Sequence, residues 1–206
     1  MFFVEWVGSG TRLKRISNYF SPYSVRRSRS MALPIREGLR HITAVDFRRK
    51  IIPFDDLAEW RRRMGETGKK LVVTNGCFDL LHLGHATYLE SARQQGDLLL
   101  VGVTGDEAVR SLKGLGRPLN NENDRAALLA ALECVDQVCV FSERSASHFL
   151  SVARPNVYVK GGDYTVETLN QDERRVVESS GGKIVILPLL EGKSTTGLLG
   201  KIAQLA

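Results

Sequence analysis

From Lys70 onward the chain alternates short apolar, β-branched runs with longer amphipathic stretches, and this alternation limits the possible fold more than any other feature. Residues 71–74, 98–103, 137–141, 157–160 and 183–187 are bounded by turn residues and read as strands covered on both faces. Between and after them, residues 84–95, 106–112, 123–133, 145–153, 172–180 and 194–204 carry i, i+3, i+4 apolar spacing or strong helix formers. Strand–helix alternation of this kind predicts an α/β domain with a single doubly wound, parallel, five-stranded sheet of Rossmann-like design. Ligands of such sheets gather at the carboxyl ends of the strands. A leading helix is expected over 55–64, with acids at its start and Arg61, Arg62 and Arg63 towards its end, as the helix dipole favours.

Charge divides the chain. Residues 1–50 hold 11 Lys and Arg against 3 Asp and Glu, so the net +6 is a property of that segment and the remainder sums to −2. The reading is therefore a basic, disordered extension over 1–50 and a folded domain with its leading helix over 51–206. The extension reads either as an organellar address or as sequence ahead of an alternative start at Met31. A basic surface that would bind nucleic acid or an anionic membrane is not expected of the domain. Without an apolar run of eighteen residues, and with three cysteines that form no CxxC pair, the chain reads as a soluble cytoplasmic protein.

The first strand runs into Asn75-Gly76-Cys77-Phe78-Asp79-Leu80-Leu81-His82-Leu83-Gly84-His85, where a helix opens. Unpaired N–H groups and a partial positive charge make a helix start a natural seat for phosphate. Gly84 allows close approach there, and the imidazoles of His82 and His85 can donate to phosphate oxygens as charge develops on them. With 4 His and 19 Gly in 206 residues, an HxGH string arises by chance only roughly 0.007 times. Two histidines merely capping a helix, or a zinc site with Asp79 as third ligand, are the rival readings, and nothing nearby completes the zinc set. Gly192-Lys193-Ser194 is not a P-loop, because Leu187 stands where its first glycine would be, and no GxGxxG follows a strand.

The stretch 74–85 resembles the signature of the cytidylyltransferase-like nucleotidyltransferase superfamily. Leu112-Lys113-Gly114 with Gly116-Arg117-Pro118, Asp124-Arg125, Val159-Lys160-Gly161-Gly162-Asp163-Tyr164 and Lys193-Ser194-Thr195-Thr196 narrow the resemblance to the adenylyltransferase domain of the ADP-heptose synthase family. That resemblance covers about residues 50–205. It implies a nucleotidyltransferase that moves AMP from ATP to D-glycero-β-D-manno-heptose 1-phosphate and releases pyrophosphate, for lipopolysaccharide precursor synthesis. Magnesium is the implied cofactor, held mainly by the phosphates rather than by protein ligands, and a homodimer or higher homo-oligomer is the implied assembly.

By the same resemblance His82, His85 and Lys113 are catalytic. Asn75, Gly76, Cys77, Phe78, Gly84, Lys160, Asp163, Lys193, Ser194, Thr195 and Thr196 hold the nucleotide, with Cys77 contributing backbone and not a nucleophilic thiol. Asp79, Lys113 and Arg117 serve the sugar phosphate, although for Asp79 orienting its loop is the favoured role and a metal contact the lesser one. Arg125 is read as a support for the loop, and His41 and His148 as ordinary surface or packing residues. Related cytidylyltransferases carry Arg-Thr-Glu-Gly where this chain has Leu189-Leu190-Glu191-Gly192, which favours ATP over CTP. Many relatives also carry a sugar kinase domain, so the heptose 1-phosphate is expected from separate enzymes. A cytidylyltransferase acting on glycerol phosphate or a similar small phosphorylated alcohol, and an inactive nucleotide-binding regulatory module, are the alternatives.

Overall fold

A computed structural model describes residues 46–162, 164, 165 and 167–205. Residues 1–45, with His41, and Asp163 lie outside the described residues. In chain order the elements are β1 (Ile51–Ile52), α1 (Leu57–Glu66), β2 (Leu71–Gly76), α2 (Leu83–Arg93), β3 (Leu98–Thr104), α3 (Asp106–Lys113), α4 (Glu122–Ala130), β4 (Gln137–Phe141), α5 (Ser147–Ala153), β5 (Val157–Gly161), α6 (Gln171–Ser179), β6 (Lys183–Leu187) and α7 (Thr195–Ala203).

The sheet runs β1-β4-β3-β2-β5-β6 with every neighbouring pair parallel. The middles of its strands are apolar because alternate side chains feed two cores. Val72, Val101, Val103, Val138 and Val159 pack on Leu89 and Ala92 of α2 and Leu129 and Ala130 of α4. Their neighbours Leu71, Val73, Leu100, Cys139 and Tyr158 face Leu57 of α1, Phe149 and Leu150 of α5 and Val177 of α6. Burial on both faces removes the polar alternation that a half-exposed strand would show.

The sheet has six strands, one more than the sequence predicts. The extra one is β1, whose Ile51 and Ile52 pair with Val138 and Cys139 of β4. Two residues are too few to carry a periodicity. Residues 47–50, which the sequence reading places in the extension, form a short 3-10 helix with Phe47 packed on the first core. Lys50 is tied in as well, its Nζ donating to the carbonyls of Leu132 at 3.0 Å and Val135 at 2.8 Å.

From β2 the chain builds outwards through β3 to β4, then crosses to the other side of β2 to lay down β5 and β6. That reversal opens a crevice between the carboxyl ends of β2 and β5, where a doubly wound sheet receives ligands.

Candidate active site

The loop leaving β2 turns sharply. Phe78 takes φ +48°, a left-handed conformation uncommon outside glycine. Gly76 makes room for the turn, since a Cβ there would stand 3.1 Å from Phe78 Cε2. Next along, Asp79 is buried and its Oδ1 accepts from the backbone N–H groups of Leu119 at 2.8 Å and Asn120 at 3.0 Å. Its Oδ2 lies 2.7 Å from Arg117 Nε. With both oxygens engaged and a charge that would repel phosphate, Asp79 docks the loop that bears Lys113 and Arg117. Asp79 also lines the cleft beside them.

Arg125 of α4 is fully buried and binds the strand ends together. It donates to the carbonyl of Cys77, to Asn120 at 3.0 Å, to Thr104 at 2.7 Å, and to the Asp106 carboxylate at 2.8 Å. The support role read from the sequence is the one the structure gives it.

Helix α2 opens at His82, whose side chain makes no capping bond, so the helix start keeps free donors for a guest. The His82 and His85 rings stack with centroids 3.9 Å apart, and Phe78 meets His85 edge-on. Burial, together with the neighbouring His82, pushes the His85 pKa down from 6.5 to about 4, while the Leu80 carbonyl opposes the shift. His82 is lowered too, by burial and then by Lys193. Both rings are therefore neutral at pH 7, each with one N–H to donate.

A folded-state pKa below the unfolded value means that the unfolded chain takes up a proton the native chain refuses. The His85 contribution to stability is full above about 6.5 and declines as pH falls towards about 4. The melting temperature should drop across that window, and His85→Asn should make the drop shallower. Identical slopes for the two proteins would rule His85 out as the source.

The last turn closes against this helix. A Cβ on Gly84 would lie 3.0 Å from the His82 ring and 3.1 Å from Lys193 Cβ, so the missing side chain lets the segment before α7 abut the start of α2. Ser194 caps α7 by accepting from Gly197 N–H at 3.0 Å. Its hydroxyl hydrogen stays available for a phosphate oxygen.

On the far side of the crevice, Lys160 donates to Asn75 Oδ1 at 3.1 Å and stands 3.5 Å from Glu173 Oε2. Tyr158 Oη lies 2.7 Å from each of those two oxygens. Burial lowers the Lys160 pKa, and Glu173 works against the shift. The second Glu173 oxygen accepts from Ala146 N–H at 3.0 Å, tying α6 to the loop after β4.

These elements enclose a cleft of about 730 Å³. Onto it the structure brings Asn75, Gly76, Cys77, Phe78 and Asp79, His85, Lys113 and Arg117, Lys160, and Thr195 and Thr196. His82, stacked on His85, instead borders a smaller depression with Leu81, Ala86 and Leu132. Gly84, Lys193 and Ser194 shape the wall without lining the cleft. Burial raises the Cys77 thiol pKa, which keeps it protonated, as suits a backbone contact. His148 is a surface residue paired with Glu143 at 2.8 Å.

Sequence reasoning missed Arg144 and Glu173, both on the cleft. For Glu173 a signal existed. Leu169, Glu173 and Val177 are spaced by four and all buried, so this acid sits in an apolar stripe. For Arg144 none did.

The family described as cytidylyltransferase-like matches residues 73–196. The bifunctional protein HldE of Geotalea uraniireducens is 50% identical over 153 residues, which are 74% of this chain and 31% of that one. The protein of the same name from Pseudomonas aeruginosa is 50% identical over 137 residues, 66% of this chain and 28% of that one. The chain thus spans less than a third of the length of these relatives. Among solved structures, a lipopolysaccharide core biosynthesis protein from Thermoplasma volcanium is 28% identical with a TM-score of 0.51, covering 61% of this chain and 100% of its own.

Proposed function

The chain belongs to the cytidylyltransferase-like family of nucleotidyltransferases, and from that premise we propose that it transfers AMP from ATP to D-glycero-β-D-manno-heptose 1-phosphate, giving ADP-heptose and pyrophosphate. One observation carries the phosphate chemistry: neutral His85 at an uncapped helix start shares a single cleft with Thr195, Thr196 and the cation Lys113. The 50% identity to HldE proteins supports the sugar, together with the resemblance of the LKG, GRP, VKGGDY and KSTT segments to ADP-heptose synthase.

The reaction is attack of an anomeric phosphate oxygen on the α-phosphorus of ATP. A phosphate nucleophile is already deprotonated, so no general base is required, and no covalent enzyme intermediate forms. His85 donates to the α-phosphate oxygens as they gain charge. The starts of α2 and α7 hold the departing pyrophosphate, and Lys113 offsets the repulsion between the two anions. Among the described residues the acids of the cleft, Asp79 and Glu173, are each paired with a cation, which leaves magnesium no free carboxylate. Magnesium is read as entering with the phosphates, as part of the MgATP substrate.

Leu189 lines the cleft where related cytidylyltransferases bear arginine, which supports ATP over CTP. The test is incubation with ATP, magnesium and heptose 1-phosphate, with mass analysis for the nucleotide sugar and CTP with glycerol 3-phosphate in parallel. ADP-heptose is the expected product. A CDP-alcohol as sole product would replace this assignment with the cytidylyltransferase reading, and nucleotide binding without turnover of either acceptor would favour the regulatory one.

A further inference from the structure

The basic side chains of the cleft are not equivalent. Arg117 is held by Asp79 and Lys160 by Glu173, whereas among the described residues Lys113 and Arg144 have no acid partner. Lys113 closes α3 near Cys77. Arg144 follows β4, two strands from β2, and leads into α5 on the opposite face of the sheet from α2. Its loop is fixed in place, because Ala146 N–H donates to buried Glu173 and the Ser145 and Ser147 hydroxyls lie 2.8 Å apart.

In-line displacement sets the attacking and leaving oxygens on opposite sides of the phosphorus. The pyrophosphate end belongs at the abutting starts of α2 and α7, so the acceptor oxygen approaches from across the cleft. That is the side on which α5 and α6 meet the sheet and Arg144 stands uncompensated. A guanidinium there offers a planar pair of donors matched to a phosphate. We propose that Arg144 is a substrate-binding residue that takes the phosphate of the acceptor and not the nucleotide, and so sets affinity for the second substrate. The inference rests on the nucleotidyltransferase reading but not on which phosphorylated acceptor is used.

Steady-state kinetics of Arg144→Ala and Arg144→Lys test it, with ATP and acceptor varied separately. For Arg144→Ala the acceptor KM should rise at least about tenfold, as loss of one charge-assisted contact predicts, with the ATP KM unchanged. Arg144→Lys, which keeps charge but loses the fork, should fall between the two. If heptose 1-phosphate is not turned over but another phosphorylated alcohol is, the heptose assignment fails and Arg144 is judged by the same ratio on that acceptor. If no acceptor turns over, heptose 1-phosphate is titrated calorimetrically into protein loaded with α,β-methylene-ATP. An unchanged acceptor constant, a rise confined to ATP, or no acceptor binding by the unaltered protein overturns the proposal.

Discussion

Replacing His85 by alanine is expected to lower kcat at least about a hundredfold while the protein still folds. His85 lines the cleft from the first turn of α2, and burial keeps its ring neutral in the free protein, so that what it offers an arriving nucleotide is a hydrogen-bond donor rather than a charge. A donor aimed at the charge that develops in a transition state is typically worth about 2.7–4 kcal/mol, which converts to roughly a hundred- to a thousandfold in rate. Its effect is concentrated in kcat because the ground-state α-phosphate carries less charge on those oxygens than the crowded, five-coordinate phosphorus does. Folding should survive, since the ring packs on His82 and Phe78 at the rim of the site and belongs to neither sheet core. The same neutrality predicts a pH profile for kcat/KM without an acid limb from His85 until pH approaches about 4. A His85→Ala protein with native circular dichroism and a kcat within about tenfold of the parent would remove the ring from the chemistry.

Much of this was written in local pattern. The five principal strands and the seven α-helices of the described residues follow from apolar periodicity and turn residues, because a parallel sheet covered on both faces forces continuous apolar runs and amphipathic crossovers. The helix start at His82 was legible for a similar reason: spacing alone places two imidazoles on one turn. What escaped depends on pairings between segments distant in sequence. Strand β1 exists only because Ile51 and Ile52 find an open edge on β4, a fact about residues 138 and 139. For Asp79 the orienting role was legible but its partners were not, since the backbone at Leu119 and Asn120 lies about forty residues away and has no local signature. Arg144 meets the cleft through the crossover from β4 to β5 and Glu173 through the one from β5 to β6, which bring α5 and α6 over the far side of the switch point. Their spacing from the histidines carries no information, and only the topology unites them.

The second large effect falls on stability. Arg125→Ala is expected to destabilise the fold by about 3–5 kcal/mol, as does loss of other buried charged groups with full sets of partners. Arg125 joins the ends of β2 and β3 to the loop before α4, through the carbonyls of Cys77, Thr104 and Asn120 and the carboxylate of Asp106. Asp106 is partly exposed and can take up water once its partner is gone, so the abandoned carboxylate is the smaller part of the cost. The larger part is three carbonyls left without a donor, each at about 1 kcal/mol or more, around a void the length of an arginine side chain. For a domain of this size that loss corresponds to a fall of roughly 10 °C in melting temperature. Arg125→Lys should recover little of it, because the three N–H groups of an ammonium radiate from one nitrogen and cannot span the four acceptors that Nε, Nη1 and Nη2 reach. Since the Cys77 carbonyl belongs to the loop that leads to His85, the variants should also lose kcat at temperatures well below melting. A melting temperature within about 2 °C of the parent for Arg125→Ala would show that the strand ends hold their arrangement without it.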